Sequence, residues 1–297
     1  MSIGGQRPHP LIVINAANYY RRNFHVRKII VASATLISLN AVSTIAQETG
    51  IIDQQGLGGA AYIDQTRQSD SSSIAHIEQL PTSTGDVAAI LQRGNVPMTA
   101  HIHQDGSDGK PAGNVAGIVQ QVAEIGVTTN ADINQSGGEH TAGIYQRNTG
   151  NTADVDQRGD NQEAMVYQGS FGHDDFTDLD SGTLPNTTLT TAAAADLESS
   201  LLSYSLPMYA PTITLPVADS TNSTAMVDQE GESNRALILQ SGNNNYGSID
   251  QNGMDDIAII QQENDDNSAT IEQSDPSITS VAVISQSGGE NVAKVEQ

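Results

Sequence analysis

The sequence predicts an all-β fold: a two-sheet β-solenoid of 11-residue half-repeats, about 22 residues per rung, interrupted by an irregular insertion. Three observations carry this. A five-residue strand unit recurs in phase along most of the chain. Turn-forming residues stand at fixed offsets between the copies. The residues on the second face of each unit differ systematically between odd- and even-numbered copies.

The unit is small-x-aliphatic-x-Gln, as in Ala61-Tyr62-Ile63-Asp64-Gln65, Ala153-Asp154-Val155-Asp156-Gln157 and Ala269-Thr270-Ile271-Glu272-Gln273. Its last position is Gln54, Gln65, Gln79, Gln92, Gln104, Gln120, Gln135, Gln146, Gln157 and Gln168 in a first block. After an interruption it is Gln229, Gln240, Gln251, Gln262, Gln273, Gln286 and Gln297. The commonest interval is 11 residues, and most of the longer ones (12 to 16) fall in the first half. Alternation with period two puts Ala, Ile or Val, and Gln on one face of a strand and the variable residues on the other. Such a strand cannot bury its face alone, so successive units must stack around a thin interior of Ala and Ile. A buried Gln amide is costly without partners. In a stack each amide meets the equivalent one about 4.8 Å along the axis, which predicts a structural Gln ladder.

Between units, Gly stands two residues after Gln (Gly137, Gly159, Gly231, Gly242, Gly253, Gly288), and Asn often stands five after it (Asn151, Asn234, Asn245, Asn267, Asn291). Gly permits positive φ; Asn tolerates it and bonds its own backbone, so a strand can reverse within six residues.

With two strands per rung, alternate units lie on opposite sheets. Odd units then present Asp53, His76, Glu78, His101, His103, Asp132, Asn134, Asp154, Asp156, Asp228, Asp250, Glu272, Lys294 and Glu296 outward. Even units present Tyr62, Asp64, Ala89, Leu91, Val119, Tyr145, Met165, Tyr167, Leu237, Leu239, Ile259, Gln261 and Val283. One outer face is therefore acidic and polar and the other largely apolar, without a phase change across the interruption. Soluble monomers rarely expose such an apolar stripe, so a cover is expected. The candidates are the interruption itself (Leu197, Leu201, Leu202, Leu206, Ile213, Leu215), the other half of the chain folded back about it as a hinge, and a neighbouring fibril.

The organisation follows. Residues 1–46 read as a secretory signal region, with Arg27-Lys28, the apolar run IIVASATLISLNAV and small residues before a cleavage point after Ala46. The true start is placed at Val26. The run is too short and too polar to span a bilayer. Residues 47–168 form the first repeat block, 169–224 an insertion or linker, and 225–297 the second block. In the insertion, Ala192 to Leu202 suits a short helix, and Pro207, Pro211 and Pro216 break the chain. Asp174, Asp175, Asp178, Asp180 and Gly182 loosely resemble a calcium loop but lack the closing acid, so a solvated acidic loop is the simpler reading.

Composition limits function. The chain has no Cys, no Trp and three Phe, which disfavours a conventional enzyme core. All 35 acidic residues follow position 46, whereas Arg7, Arg21, Arg22, Arg27 and Lys28 precede it, so the repeat region is strongly anionic. That argues against nucleic acid and anionic lipid as partners. No Ser-His-Asp order, nucleotide loop or metalloprotease motif is present. His76 and His101 fall in one column on neighbouring rungs, with His103 and Glu78 in the parallel one; this is a candidate Zn or Cu site, exposed strand histidines being the commoner case. Asp228, Asp250, Glu272 and Glu296 fall in one acidic column, where mutual repulsion should raise their folded-state pKa values and where Ca²⁺ is a candidate ligand.

The pattern Q-x-G-x-x-N-x-A-x-I-x-Q, present from Gln229 to Gln240, resembles the curlin repeat, and the resemblance covers about 50–168 and 225–297. It implies a strand–turn–strand solenoid, export by curli secretion machinery through periplasm and outer membrane, and polymerisation into extracellular amyloid with itself and with another curlin subunit. The number of units, the insertion and the negative charge depart from the family pattern, which leaves major subunit and nucleator both open. The first unit begins close to the cleavage point and the last ends on the motif Gln297, so end-to-end polymerisation is expected. The alternatives are a non-polymerising solenoid acting as an adhesin or calcium-binding surface and, more distantly, a β-helix polysaccharide lyase, whose rungs need longer strands.

Overall fold

A computed structural model describes residues 37–42 (as backbone), 49–56, 58–67, 72–82, 84–94, 96–106, 113–122, 126–169, 218–275 and 279–297. Two parallel nine-stranded sheets face each other. One comprises β1 (Ile37–Val42), β3 (Ala60–Arg67), β5 (Val87–Gly94), β7 (Val115–Val122), β9 (Thr141–Arg147), β11 (Glu163–Gln168), β14 (Arg235–Gln240), β17 (Ile257–Glu263) and β19 (Val281–Ser287). The other comprises β2 (Thr49–Gln54), β4 (Ile74–Gln79), β6 (Met98–Asp105), β8 (Thr129–Gly138), β10 (Thr152–Asp160), β13 (Thr224–Glu232), β16 (Tyr246–Met254), β18 (Ser268–Gln273) and β20 (Val292–Glu296). A two-residue pair, β12 (Ser220–Thr221) with β15 (Gly242–Asn243), joins turns of adjacent rungs.

Every even unit lies in the first sheet and every odd unit in the second. The register matches like with like: Ala164, Val166 and Gln168 pair with Ala236, Ile238 and Gln240, which pair with Ala258, Ile260 and Gln262. The period-two pattern dictates this, because a one-residue slip would turn the aliphatic and Gln positions to the outside. The resulting interior is a single column of Ala, Ile and Val from Ile52 to Ile284, shared by both sheets.

Strands on either side of the interruption pair directly, β10 with β13 and β11 with β14, in unbroken register. The two blocks are therefore one continuous stack. This corrects the expectation that one half folds back on the other about a hinge: rungs next to the interruption use both sheet edges on each other. The stack resumes before residue 225, since Ser220 and Ser223 are already buried within it. At the other end, β1 lies inside the segment read as the signal region, with Leu39 opposite Ile63 and Ala41 in the Gln column.

The turns depart from expectation at two positions. Gly137, Gly159, Gly231, Gly242 and Gly288 have positive φ, as required two residues after Gln, but Gly253 at the same offset does not. The second left-handed residue is not the Asn five after Gln but the one before it: Glu139, Asn161, Ser233, Asn244, Asp255, Asp266 and Glu290. The Asn side chain has other work, described below. At Gly159 an added Cβ would run into the backbone carbonyl of Gly231, and at Gly231 into that of Gly253, so Gly also sets the rung spacing there.

Candidate functional site

The Gln positions form two ladders. In the even sheet, Nε2 of Gln65, Gln92, Gln120, Gln146, Gln168, Gln240 and Gln262 each donates to Oε1 of the next Gln at 2.7–2.9 Å, ending at Gln286. In the odd sheet the same chain runs from Gln79 through Gln104, Gln135, Gln157, Gln229, Gln251 and Gln273 to Gln297 at 2.8–2.9 Å. Every bond points the same way along the axis. Gln54 stands outside: it is buried, and neither of its amide atoms has a hydrogen-bond partner.

Sequence reasoning missed the second amide hydrogen. It crosses to the opposite sheet, as from Gln240 to the Thr224 carbonyl (2.9 Å), Gln251 to that of Arg235 (3.1 Å) and Gln262 to that of Tyr246 (2.9 Å). The ladders therefore fix both rung spacing and sheet separation, and buried amides gain the partners they need.

The Asn positions form columns at the turns. Asn151, Asn234, Asn245 and Asn267 are fully or almost fully buried. Each donates to the carbonyl four residues back: Arg147, Glu230, Ser241 and Glu263, at 2.9 Å. Each also accepts the backbone N–H of its successor one rung on: Ser223 (3.1 Å), Asp256 (3.0 Å), Asn267 (3.0 Å) and Asn291 (3.2 Å). His140 fills such a position with the same pattern, Nε2 meeting the Ser136 carbonyl at 3.1 Å and Nδ1 accepting from Gln162 N at 3.3 Å. The Nε2–H tautomer satisfies both bonds.

On the outer face of the odd sheet, Asp228, Asp250, Glu272 and Glu296 stand opposite one another in consecutive strands. Cations stand among them: Lys294, which the outward pattern places there, and Arg158, which it leaves out. Arg158 pairs with Asp156 and reaches Asp228 at 3.7 Å, while Lys294 pairs with Glu296 and reaches Glu272 at 3.1 Å. Asp228 is raised above the usual carboxylate range chiefly by burial, against the lowering pull of Arg158. Asp154, in the neighbouring column, is raised by burial and then by Asp132. Burial thus outweighs the mutual repulsion expected from sequence, and Arg158 opposes it.

His76 and His101 stack with ring centroids 4.9 Å apart, and His103 lies 6.4 Å from His101. Nδ1 of His103 meets Glu78 at 3.0 Å and Nδ1 of His101 meets Asp132 at 3.4 Å. The partner carboxylate raises the pKa of His101; burial, followed by His101 beside it, lowers that of His76. The three rings are thus brought together as a stack with carboxylate partners. Among the described residues no group of three or more His, Asp or Glu side chains is placed to hold a metal ion.

The outer face of the even sheet forms a second apolar cluster of Leu91, Val119, Tyr145, Met165, Tyr167, Leu237, Leu239 and Ile259, each at most 3% exposed. Tyr145 and Tyr167 stack at 5.7 Å. The face is covered, and the insertion leucines named as one candidate cover lie outside the described residues, as does the acidic loop of Asp174 to Gly182. No described helix is long and apolar enough to cross a membrane.

The family model of the curlin associated repeat matches residues 149–180 and 221–253, one segment on each side of the interruption. No curated protein and no solved structure matches the chain.

Proposed function

Because this chain is a curlin-family repeat protein, we propose that it is a secreted subunit that polymerises into extracellular fibres serving adhesion, cell aggregation and biofilm matrix. The observation that carries this reading is the uniform direction of the Gln ladders. Each rung offers donors to the next and acceptors to the one before, so the contact between rungs is the same everywhere in the stack. A second copy adding a rung repeats a contact the chain already makes more than a dozen times. The outermost described strands, β19 and β20, present such an edge, with Val292 82% exposed. Parallel strands with an exposed edge template further pairing.

The partners on this reading are copies of itself, another curlin subunit and the curli secretion machinery; its place is the cell-surface fibre. Purified protein lacking residues 1–46 should form thioflavin-positive fibres with reflections near 4.8 and 10 Å. A species that stays monomeric under fibre-forming concentrations, by light scattering and electron microscopy, would favour a discrete solenoid adhesin instead.

A further inference from the structure

One turn column runs through Asp86, Asn114, His140, Gln162, Asn234, Asp256 and Ser280. The column makes two demands on a side chain: to accept the N–H of its successor one rung on, and to donate to the carbonyl four residues back. Gln162 meets only the second, its Oε1 being buried without a hydrogen-bond partner. Asn234 meets both and also donates to the Gly253 carbonyl of the next rung at 3.1 Å. His140 meets both through its neutral ring.

Asp256 is fully buried in the same position. Its Oδ1 accepts from Ser280 N at 2.8 Å, which is the first demand. Its Oδ2 is buried without a hydrogen-bond partner and lies over Gly253, close to where the Asp275 carbonyl also approaches. In the preceding rung Asn234 turns its amide nitrogen to the corresponding carbonyl, that of Gly253. An ionised carboxylate there has no hydrogen to give and sets a charge against carbonyl oxygens. The charged neighbours acting on it are Asp255 and Asp275, both acidic.

We infer that Asp256 is a proton-gated joint of the solenoid: its rung completes its turn hydrogen bonds only when the Asp256 carboxyl carries a proton on Oδ2. The neutral acid does what Asn234 does, accepting at one oxygen and donating from the other. Burial, the largest effect on this group, pushes its pKa up, in the same direction, against the lowering pull of hydrogen bonds from the Ser280 backbone and side chain. At neutral pH the ionised Asp256 loosens its rung, and mild acid closes it. The inference concerns the folded chain and holds whether or not it polymerises.

The test is hydrogen exchange by mass spectrometry on the full chain, below the concentration at which fibres form, with rates corrected for the intrinsic effect of pH. At pH 7.5, Asp256→Asn should protect peptides covering 257–263 and 281–287 about tenfold more than wild type, the worth of roughly one net hydrogen bond. At pH 4.5 the two proteins should coincide. Asp256→Leu, which removes the acceptor for Ser280 N–H, should exchange faster than Asp256→Asn at both values. Asp250→Asn, on the outer face of the other sheet, removes the same charge and should leave these peptides unchanged. The inference is overturned if Asp256→Asn gives no added protection at pH 7.5 or keeps the wild-type pH dependence. It is equally overturned if Asp250→Asn reproduces its effect, or if the Leu variant matches the Asn one.

Discussion

Gln251 accepts from Gln229, donates to Gln273 and donates across the interior to Arg235. Its neighbour Asp250 points outward into the acidic column. Gln251→Leu keeps the volume but strands polar groups on three neighbours, so it should cost about 1–3 kcal/mol in urea unfolding. Asp250→Asn should be neutral or stabilising. The along-axis bond was legible, because only stacking explains a buried Gln that recurs in phase. The cross-sheet bond was not, since it depends on a sheet separation set by Ala and Ile packing. The Asn residues were half legible: their bond to the preceding backbone follows from residue type, but their burial put the left-handed conformation on the preceding residue. His140 shows the rule at work. His140→Asn should fold with an unchanged urea midpoint, whereas His140→Phe, which offers neither donor nor acceptor, should lose about 1–3 kcal/mol.

Strands and turns obey a tighter constraint than single residues, since an element must fit its copies above and below. Gly231 illustrates this, with positive φ and a would-be Cβ blocked by the Gly253 backbone. Gly58 also has positive φ, but an added Cβ there meets open space. Gly231→Ala therefore adds overpacking to backbone strain and should cost about 2–4 kcal/mol, against about 1–2 kcal/mol for Gly58→Ala. Comparable unfolding midpoints for the two variants would mean that rung spacing is not set at Gly231. The odd–even sorting of outward residues anticipated the two sheets, because strand parity is fixed by a period that sequence displays. The pairing of β11 with β14 was not legible: residues 169–224 carry no repeat unit, and direct pairing across that gap is a tertiary fact.

At the scale of the whole molecule, charge opposes self-association. The chain carries −23 at neutral pH, and the outward face of the odd sheet concentrates acids along the stack. Adding a subunit extends that column, so growth brings like charges about 4.8 Å apart across each new strand pair. Arg158 and Lys294 offset only their own neighbourhoods. Asp154 and Asp228 have folded-state pKa values above their unfolded ones, so the folded stack binds more protons than the unfolded chain. The stability withheld at neutral pH is then recovered as pH falls through those raised values towards the ordinary carboxylate range. Salt should act in the same direction by screening, with a Debye length of about 8 Å at physiological ionic strength. Assembly should therefore be slow at neutral pH and low salt, and faster in mild acid or about 0.15 M salt. Millimolar Ca²⁺ should help further only if carboxylates of the column bind it, so Mg²⁺ at equal ionic strength is the comparison that separates binding from screening. The control is a chain with Asp154 and Asp228 both changed to Asn. Its thioflavin half-time should be shorter at neutral pH and respond less to acid. A half-time that shifts with pH as much as wild type would locate the dependence elsewhere, with the buried Asp256 as the next group to replace.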